Sequence, residues 1–214
     1  MLYPLRWLLS LFSTVLRLGA GRAGSTPQTK DELPILYEFA ACPWCRIARE
    51  AVSEAGLSVI VRPCPKKGTR FRPKVVELGG WAQFPFYIDE FVPDGMYESG
   101  DVAKAMRKHY GAPRPLLHWL GPINGILSSY AVLLGFTGGR KAKPSKPQTQ
   151  PLEFYGSEAS PAARLIKARL SSLQLEYIWH PAHVGKPRLE DPATGKKMTG
   201  GPESLKYLTS QYAL

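Results

Sequence analysis

Acidic residues are missing from two long stretches of this 214-residue chain. Residues 1–30 carry four bases and no acid, and residues 111–150 carry five bases and no acid. All 17 acids fall in residues 31–110 and 151–214, where they nearly balance the bases, so most of the +11 net charge lies outside those regions. A nucleic-acid-binding domain carries its excess on a folded face or a recognition helix, so this distribution argues against nucleic acid. Basic residues flanking apolar stretches suit a membrane surface better, with solubilising basic linkers as the plainer alternative. Cysteine is scarce too. Three residues, Cys42, Cys45 and Cys64, are too few for a disulfide scaffold. A structural zinc site needs about four ligands, and Cys64, His109, His118, His180 and His183 supply no second close pair, so no metal is expected. Long apolar runs are also lacking. Residues 115–139 are uncharged, but Gly121-Pro122 interrupts them and leaves 123–136, short of the roughly 20 residues a spanning helix needs.

The first notable presence is amphipathic. Read as a helix, residues 1–18 place Arg6, Ser10, Ser13 and Arg17 on one stripe and Leu2, Leu5, Leu9, Phe12 and Leu16 on another. Bases on the polar face are a property of helices that lie in a membrane interface. A signal peptide competes, since residues 7–16 form an uncharged core, but Arg17 and Arg22 fit a cleavage region poorly. A transit peptide, or a helix packed on the protein itself, completes the alternatives.

The second is Cys42-Pro43-Trp44-Cys45, placed directly after the apolar run 35–39 and before a helical pattern. A C-x-x-C at a strand–helix junction sets one thiol at a helix N-terminus, where the partial positive charge favours the thiolate. The thiolate is the nucleophile of disulfide exchange, so the motif reads as a redox-active dithiol of the thioredoxin-like class. Around it, residues 33–110 predict β-α-β-α-β-β-α. The first helix has Ile47, Ala48, Ala51, Val52 and Ala55 on one face and Arg46, Arg49, Glu50 and Glu54 opposite. A strand over 57–62 and a short helix over 72–78 follow. Residues 84–89 and 96–98 predict a hairpin across Pro93-Asp94-Gly95, and Ser99 caps a last helix to Tyr110. Residues 111–150 form an apolar helical connector, with a small-residue stripe of Asn124, Ser128, Ala131 and Gly135, and a polar, proline-rich linker over 141–150.

Residues 151–214 repeat the first domain in reduced form. At an offset of 118, Tyr37, Pro43, Arg46 and Leu57 match Tyr155, Pro161, Arg164 and Leu175. At an offset of 102, Pro85, Asp89, Met96, Lys104 and Tyr110 match Pro187, Asp191, Met198, Lys206 and Tyr212. The change of offset predicts that the second copy lacks 16 residues around the middle helix. Cys42 and Cys45 become Ser160 and Ala163, and Glu98-Ser99 becomes Gly200-Gly201, so the copy reads as catalytically disabled.

Three motifs, Tyr37 to Cys45, Gln83-Phe84-Pro85-Phe86 and Tyr97-Glu98-Ser99-Gly100-Asp101-Val102, together resemble the thioredoxin-like N-terminal domain of glutathione transferases in its glutaredoxin-like form. The whole chain resembles tandem proteins of bacteria and plant plastids that carry two such domains. The resemblance implies an α/β fold: a thioredoxin-like β-α-β-α-β-β-α domain, a helical connector and a truncated second thioredoxin-like unit. It implies Cys42 as nucleophile, Cys45 as resolving thiol, and Pro85 as a cis-proline facing the motif. Phe84 would offer backbone hydrogen bonds to glutathione, the co-substrate. Glu98 and Ser99 would hold its γ-glutamyl end, a carboxylate for the ammonium, a hydroxyl and helix N-terminus for the carboxylate. Phe39 stands where glutaredoxins carry a lysine, so the helix end with Arg46 and Arg49 must stabilise the thiolate. The all-helical second domain of full transferases is not visible, which argues against action on aromatic electrophiles.

The leading expectation is a glutathione-dependent thiol–disulfide oxidoreductase acting on protein or small-molecule disulfides. The alternatives are a membrane-associated isomerase or reductase on a lipophilic substrate, and a non-enzymatic redox-sensitive adaptor. The compartment implied is cytoplasmic, or a plastid in a eukaryote. Membrane association through residues 1–18 and 116–136 stays open. Cys64 reads as a small buried hydrophobe, Glu38 as an optional proton acceptor for Cys45, and Lys66, Lys67, Arg70 and Arg72 as a solvated basic loop near the site.

Overall fold

In the computed structural model, which describes residues 3–114, 116–120, 122–135, 138–183 and 185–214, the amphipathic start forms α1 (Tyr3–Leu16). Of the residues assigned to patterns above, Leu2, Gly121 and Phe136 lie outside the described ones. The apolar run after it forms β1 (Ile35–Glu38). Then come α2 (Pro43–Ala55), β2 (Val59–Pro63), α3 (Arg72–Gly79), β3 (Phe86–Asp89), β4 (Val92–Met96) and α4 (Ser99–Tyr110). β1 lies between β2, parallel to it, and β3, antiparallel, with β4 on the edge. This is a thioredoxin-like α/β arrangement. Pro43 suits the start of α2, where its missing N–H costs no hydrogen bond. Gly56 ends the helix in the left-handed region at φ 68°.

The connector supplies α5 (Leu116–Trp119) and α6 (Pro122–Gly135). The remaining chain runs β5 (Leu152–Tyr155), α7 (Pro161–Leu173), β6 (Tyr177–His180), β7 (Arg188–Asp191), β8 (Lys196–Thr199) and α8 (Gly201–Tyr212). Among the described residues no helix lies between β6 and β7, whereas α3 lies between β2 and β3. Strand order and sense repeat those of the first half, and β2 and β6 join antiparallel into one eight-stranded sheet, β4-β3-β1-β2-β6-β5-β7-β8. The junction pairs Val59 with Trp179, Ile60 with Ile178 and Val61 with Tyr177. Ile60 and Ile178 are equivalent at the offset of 118, so the pairing turns about a local two-fold axis. Buried residues of both halves, among them Leu36, Val59, Tyr87, Phe154, Tyr177 and Trp179, belong to one core cluster.

Three expectations change. The hairpin turn is Glu90-Phe91, and Pro93-Asp94-Gly95 lies inside β4, where the β3–β4 register shifts. The polar linker is pinned: Lys143 N–H donates to Ser172 O and Lys146 N–H to Tyr212 O, both at 2.8 Å. The face of α2 opposite its apolar stripe is not solvated, because every residue from Cys45 to Ala55 is buried. α6 packs on α2, and α1 packs on α6 and α7. α1 is also turned over relative to an ordinary surface helix. Ser10, Ser13 and Arg17 of its polar stripe are buried, whereas Leu5 and Phe12 of its apolar stripe are exposed and Leu9 and Leu16 half-buried. The charges of α2 and α7 account for this. Arg17 Nε donates to Glu50 Oε1 at 3.0 Å, Arg46 Nη2 donates to Ser13 O at 3.0 Å, and Arg164 Nη2 donates to Ser10 Oγ at 2.8 Å. Buried charges must be paired, and α1 supplies the partners.

Candidate active site

Cys42 is the N-cap of α2, in extended geometry (φ −93°, ψ 122°), and its Sγ accepts the Cys45 N–H at 3.2 Å. The same turn recurs in the second half, where Ser160 Oγ accepts the Ala163 N–H at 3.3 Å without a thiol. α6 holds the motif from outside: Ser128 Oγ donates to Pro43 O at 2.7 Å. Trp44, 52% exposed, lies against Gly125, where an added Cβ would sit 2.5 Å from the indole ring. Only glycine admits that approach. The connector's small residues thus pack on α2, with Asn124, Ser128 and Ala131 buried.

Cys42 is 4% exposed and Cys45 fully buried. The hydrogen bond from the Cys45 thiol lowers the Cys42 pKa; burial opposes it, and the Cys45 N–H and Arg49 add to the lowering. Cys45 is pushed well above the usual thiol value by burial and by Cys42 itself. The pair is therefore polarised into one thiol ready to ionise and one that is not.

Arg49 leads into a buried ionic chain under the motif. Its guanidinium pairs with Glu38 and with Glu158 (3.1 Å), and Lys167 Nζ reaches Glu158 Oε2 at 2.9 Å. Burial works to raise Glu158, but Arg49, Lys167, Arg164 and Arg46 override it and hold the carboxyl at about 2. Glu38 is raised, by burial first, and its Oε1 has no hydrogen-bond partner. Arg46, expected to serve the thiolate with Arg49, points instead to Glu50 and Ser13.

Beside the motif, Trp44, Gln83, Phe84, Pro85, Glu98 and Ser99 line a cleft of about 260 Å³. The Phe84–Pro85 bond is cis, and Phe84 O lies 3.9 Å from Cys42 Sγ. Glu98 precedes α4 with φ 64°, a left-handed conformation unusual for a non-glycine residue, and Gln83 Nε2 donates to its Oε1 at 2.6 Å. Ser99 is the first residue of α4 rather than its cap. All six sequence-predicted positions therefore meet at one end of the sheet. The structure adds Gln83, whose only sequence signal was its place next to Phe84-Pro85. It also adds Arg72, stacked 4.7 Å from the Phe84 ring. Arg70 is not a solvated base: it donates to the carbonyls of Leu173, Gln174, Ser145 and Lys146. Cys64 is buried in the cluster that contains Cys42, Cys45 and Phe84, and burial pushes its thiol up.

A larger cleft, about 780 Å³, lies between the end of α1, the following loop, α4 and α5. It contains no thiol, and Glu54 and Arg114 are in its wall. The smaller cleft is the one beside the motif, since Phe84 in its wall lies against Cys42 Sγ.

No curated protein and no solved structure was found to match the chain. Residues 36–114, which run from β1 through α4 and hold every one of the six predicted positions, match the family model described as "Glutathione S-transferase, N-terminal domain".

Proposed function

We propose that the chain is a glutathione-dependent thiol–disulfide oxidoreductase. The observation that carries this reading is the position of the Cys42 sulfur, its pKa lowered by Cys45, 3.9 Å from Phe84 O at the edge of a cleft that also contains Glu98 and Ser99. The cleft offers what a zwitterionic tripeptide needs: backbone at Phe84–Pro85, a carboxylate for an ammonium, and a hydroxyl with first-turn amides for a carboxylate. The Cys42 thiolate attacks the glutathione sulfur of a mixed disulfide. The bond to the substrate sulfur breaks, and the substrate thiolate leaves and takes a proton. A second glutathione thiolate then attacks the glutathione sulfur held on Cys42, which releases oxidised glutathione and restores the Cys42 thiolate. In the other branch Cys45 attacks Cys42, giving the Cys42–Cys45 disulfide and free glutathione, and two further glutathiones reduce that disulfide. Burial of Cys45 disfavours its thiolate, so the first branch is the main route. Protein or small-molecule disulfides are the substrates.

In the same reading residues 151–214 are a disabled thioredoxin-like unit that completes the sheet. Ser160 and Ala163 preserve the helix start and remove the nucleophile.

Deglutathionylation of a small mixed disulfide tests the assignment. Cys42→Ser should abolish turnover, whereas Cys45→Ser should keep it within about tenfold. Undiminished activity in Cys42→Ser would refute the proposal.

A further inference from the structure

We propose that the outward face of α1, α5 and α6 docks on an anionic lipid bilayer. The starting observation is the reversal of α1. Ser10, Ser13 and Arg17 are committed to the buried charges of α2 and α7, which leaves Leu5, Leu8, Phe12 and Val15 outside, Phe12 at 59% exposure. α6 does the same with other means. Its small residues pack on α2, and Ile126, Tyr130 and Leu133 face out, Leu133 at 63%.

The two helices pack against each other and run antiparallel. Near the end of α1, Arg17 Nη1 donates to Asn124 O near the start of α6 at 3.0 Å, and at the other end the Arg6 guanidinium lies beside Gly138. Their apolar strips therefore adjoin, and α5 extends them with Leu116 and Trp119. An apolar surface of this extent marks an interaction site. No helix among the described residues is long and apolar enough to cross a membrane, so the contact is with a surface.

Charge chooses the occupant. Both segments that build the face, 1–30 and 111–150, contain bases and no acid. Exposed Arg22 follows α1, exposed Arg114 precedes α5, and exposed Arg140 follows α6, so bases stand at both ends of the helix pair. A second copy of the chain would bring two such acid-free faces together, like charge to like charge. Anionic headgroups meet the bases while Phe12, Trp119 and Tyr130 enter the interfacial layer, where aromatic side chains are favoured. Trp44 touches α6 at Gly125, so the thiol cleft opens at the edge of this face. The lipid contact stands on its own. That Cys42 works on disulfides held at a bilayer surface rests on the thiol–disulfide reading.

Flotation of the full chain with phosphatidylcholine vesicles, with and without phosphatidylserine, decides it. The chain should float with the anionic vesicles, release as salt rises, and stay behind with phosphatidylcholine alone. Arg22→Gln with Arg114→Gln should weaken the partition by about tenfold or more. Phe12→Ser with Leu133→Ser should abolish it while leaving the circular dichroism and the glutathione-linked activity of the parent. Cys42→Ser should float as the parent does, which separates failure of the lipid contact from failure of the proposed chemistry. Absence of flotation with either vesicle, or a solution dimer that the Phe12→Ser, Leu133→Ser variant dissociates, would overturn the proposal.

Discussion

Glu54 is a buried carboxyl whose titration is moved to near-neutral pH. Burial raises its pKa to about 7, against the Gly21 N–H that donates to Oε1 at 2.8 Å; its Oε2 has no partner. In an unfolded chain the same carboxyl titrates near 4.3. Between those values the folded state binds a proton that the unfolded state does not, so stability falls as pH rises from about 4.5 through 7. The loss is on the order of 3 kcal/mol. Glu158 has the opposite sign. Its carboxyl, held at about 2, contributes stability above the unfolded value that is lost only as pH falls toward 2. Glu54→Gln keeps an acceptor for Gly21 and removes the titration. Urea midpoints should rise relative to the parent at pH 8 by the equivalent of roughly 2–3 kcal/mol and stay close to it at pH 4.5. Equal differences at both pH values would show that the ionisation of Glu54 does not control the slope.

At the scale of elements, α1 inverts the usual rule for surface helices. Its buried polar side chains, Ser10, Ser13 and Arg17, tie it to α2 and α7, while Leu5, Leu8, Phe12 and Val15 stay exposed. Arg17→Ala leaves Glu50 with Arg46 as its remaining partner and takes a donor from Asn124 O. Removing one member of a buried ion pair costs about 3–5 kcal/mol, whereas Phe12→Ser at an exposed site should cost within about 0.5 kcal/mol. Thermal unfolding of the two variants gives the comparison, and a larger loss for Phe12→Ser would sink this account of α1. The same helix marks where sequence stops being legible. A helical pattern shows that two faces differ, not which one turns inward. That choice depends on Arg46, Glu50 and Arg164 of other helices. The site was more legible than the helix because its signals are local. A C-x-x-C before a helix, Phe84-Pro85 and Glu98-Ser99 each act within a few residues, and the strand order brings them together. The hairpin was legible, but the place of its turn was not, for the converse reason. Pro93-Asp94-Gly95 is a strong turn signal by composition, yet pairing of Tyr87 with Met96 and of Asp89 with Val92 puts the reversal at Glu90-Phe91 and takes those residues into β4.

For the whole molecule, the two halves share a sheet and an ionic core that neither contains alone. Detached, the first half would expose β2 as an open edge with Val59 and Val61 uncovered, a template for association. The second half would lose the cover of Tyr177 and Trp179. Arg49 of α2 pairs with Glu158 in a site with almost no solvent exposure, and Ser58 Oγ lies 2.9 Å from His180 Nδ1 across the junction. Separating the halves leaves Glu158 with Lys167 but without Arg49, and leaves Arg49 with Glu38 as its one remaining ion-pair partner among the described residues. Breaking such a buried pair costs several kcal/mol, a large part of what a domain has in total. The halves should therefore unfold together despite their repeated topology. Hydrogen exchange across a urea series should show β1 and β5 losing protection at one common midpoint. Two separated midpoints would mean that the β2–β6 junction is a contact between independent domains, and residues 151–214 would then need an explanation other than completing the sheet that holds Cys42 in place.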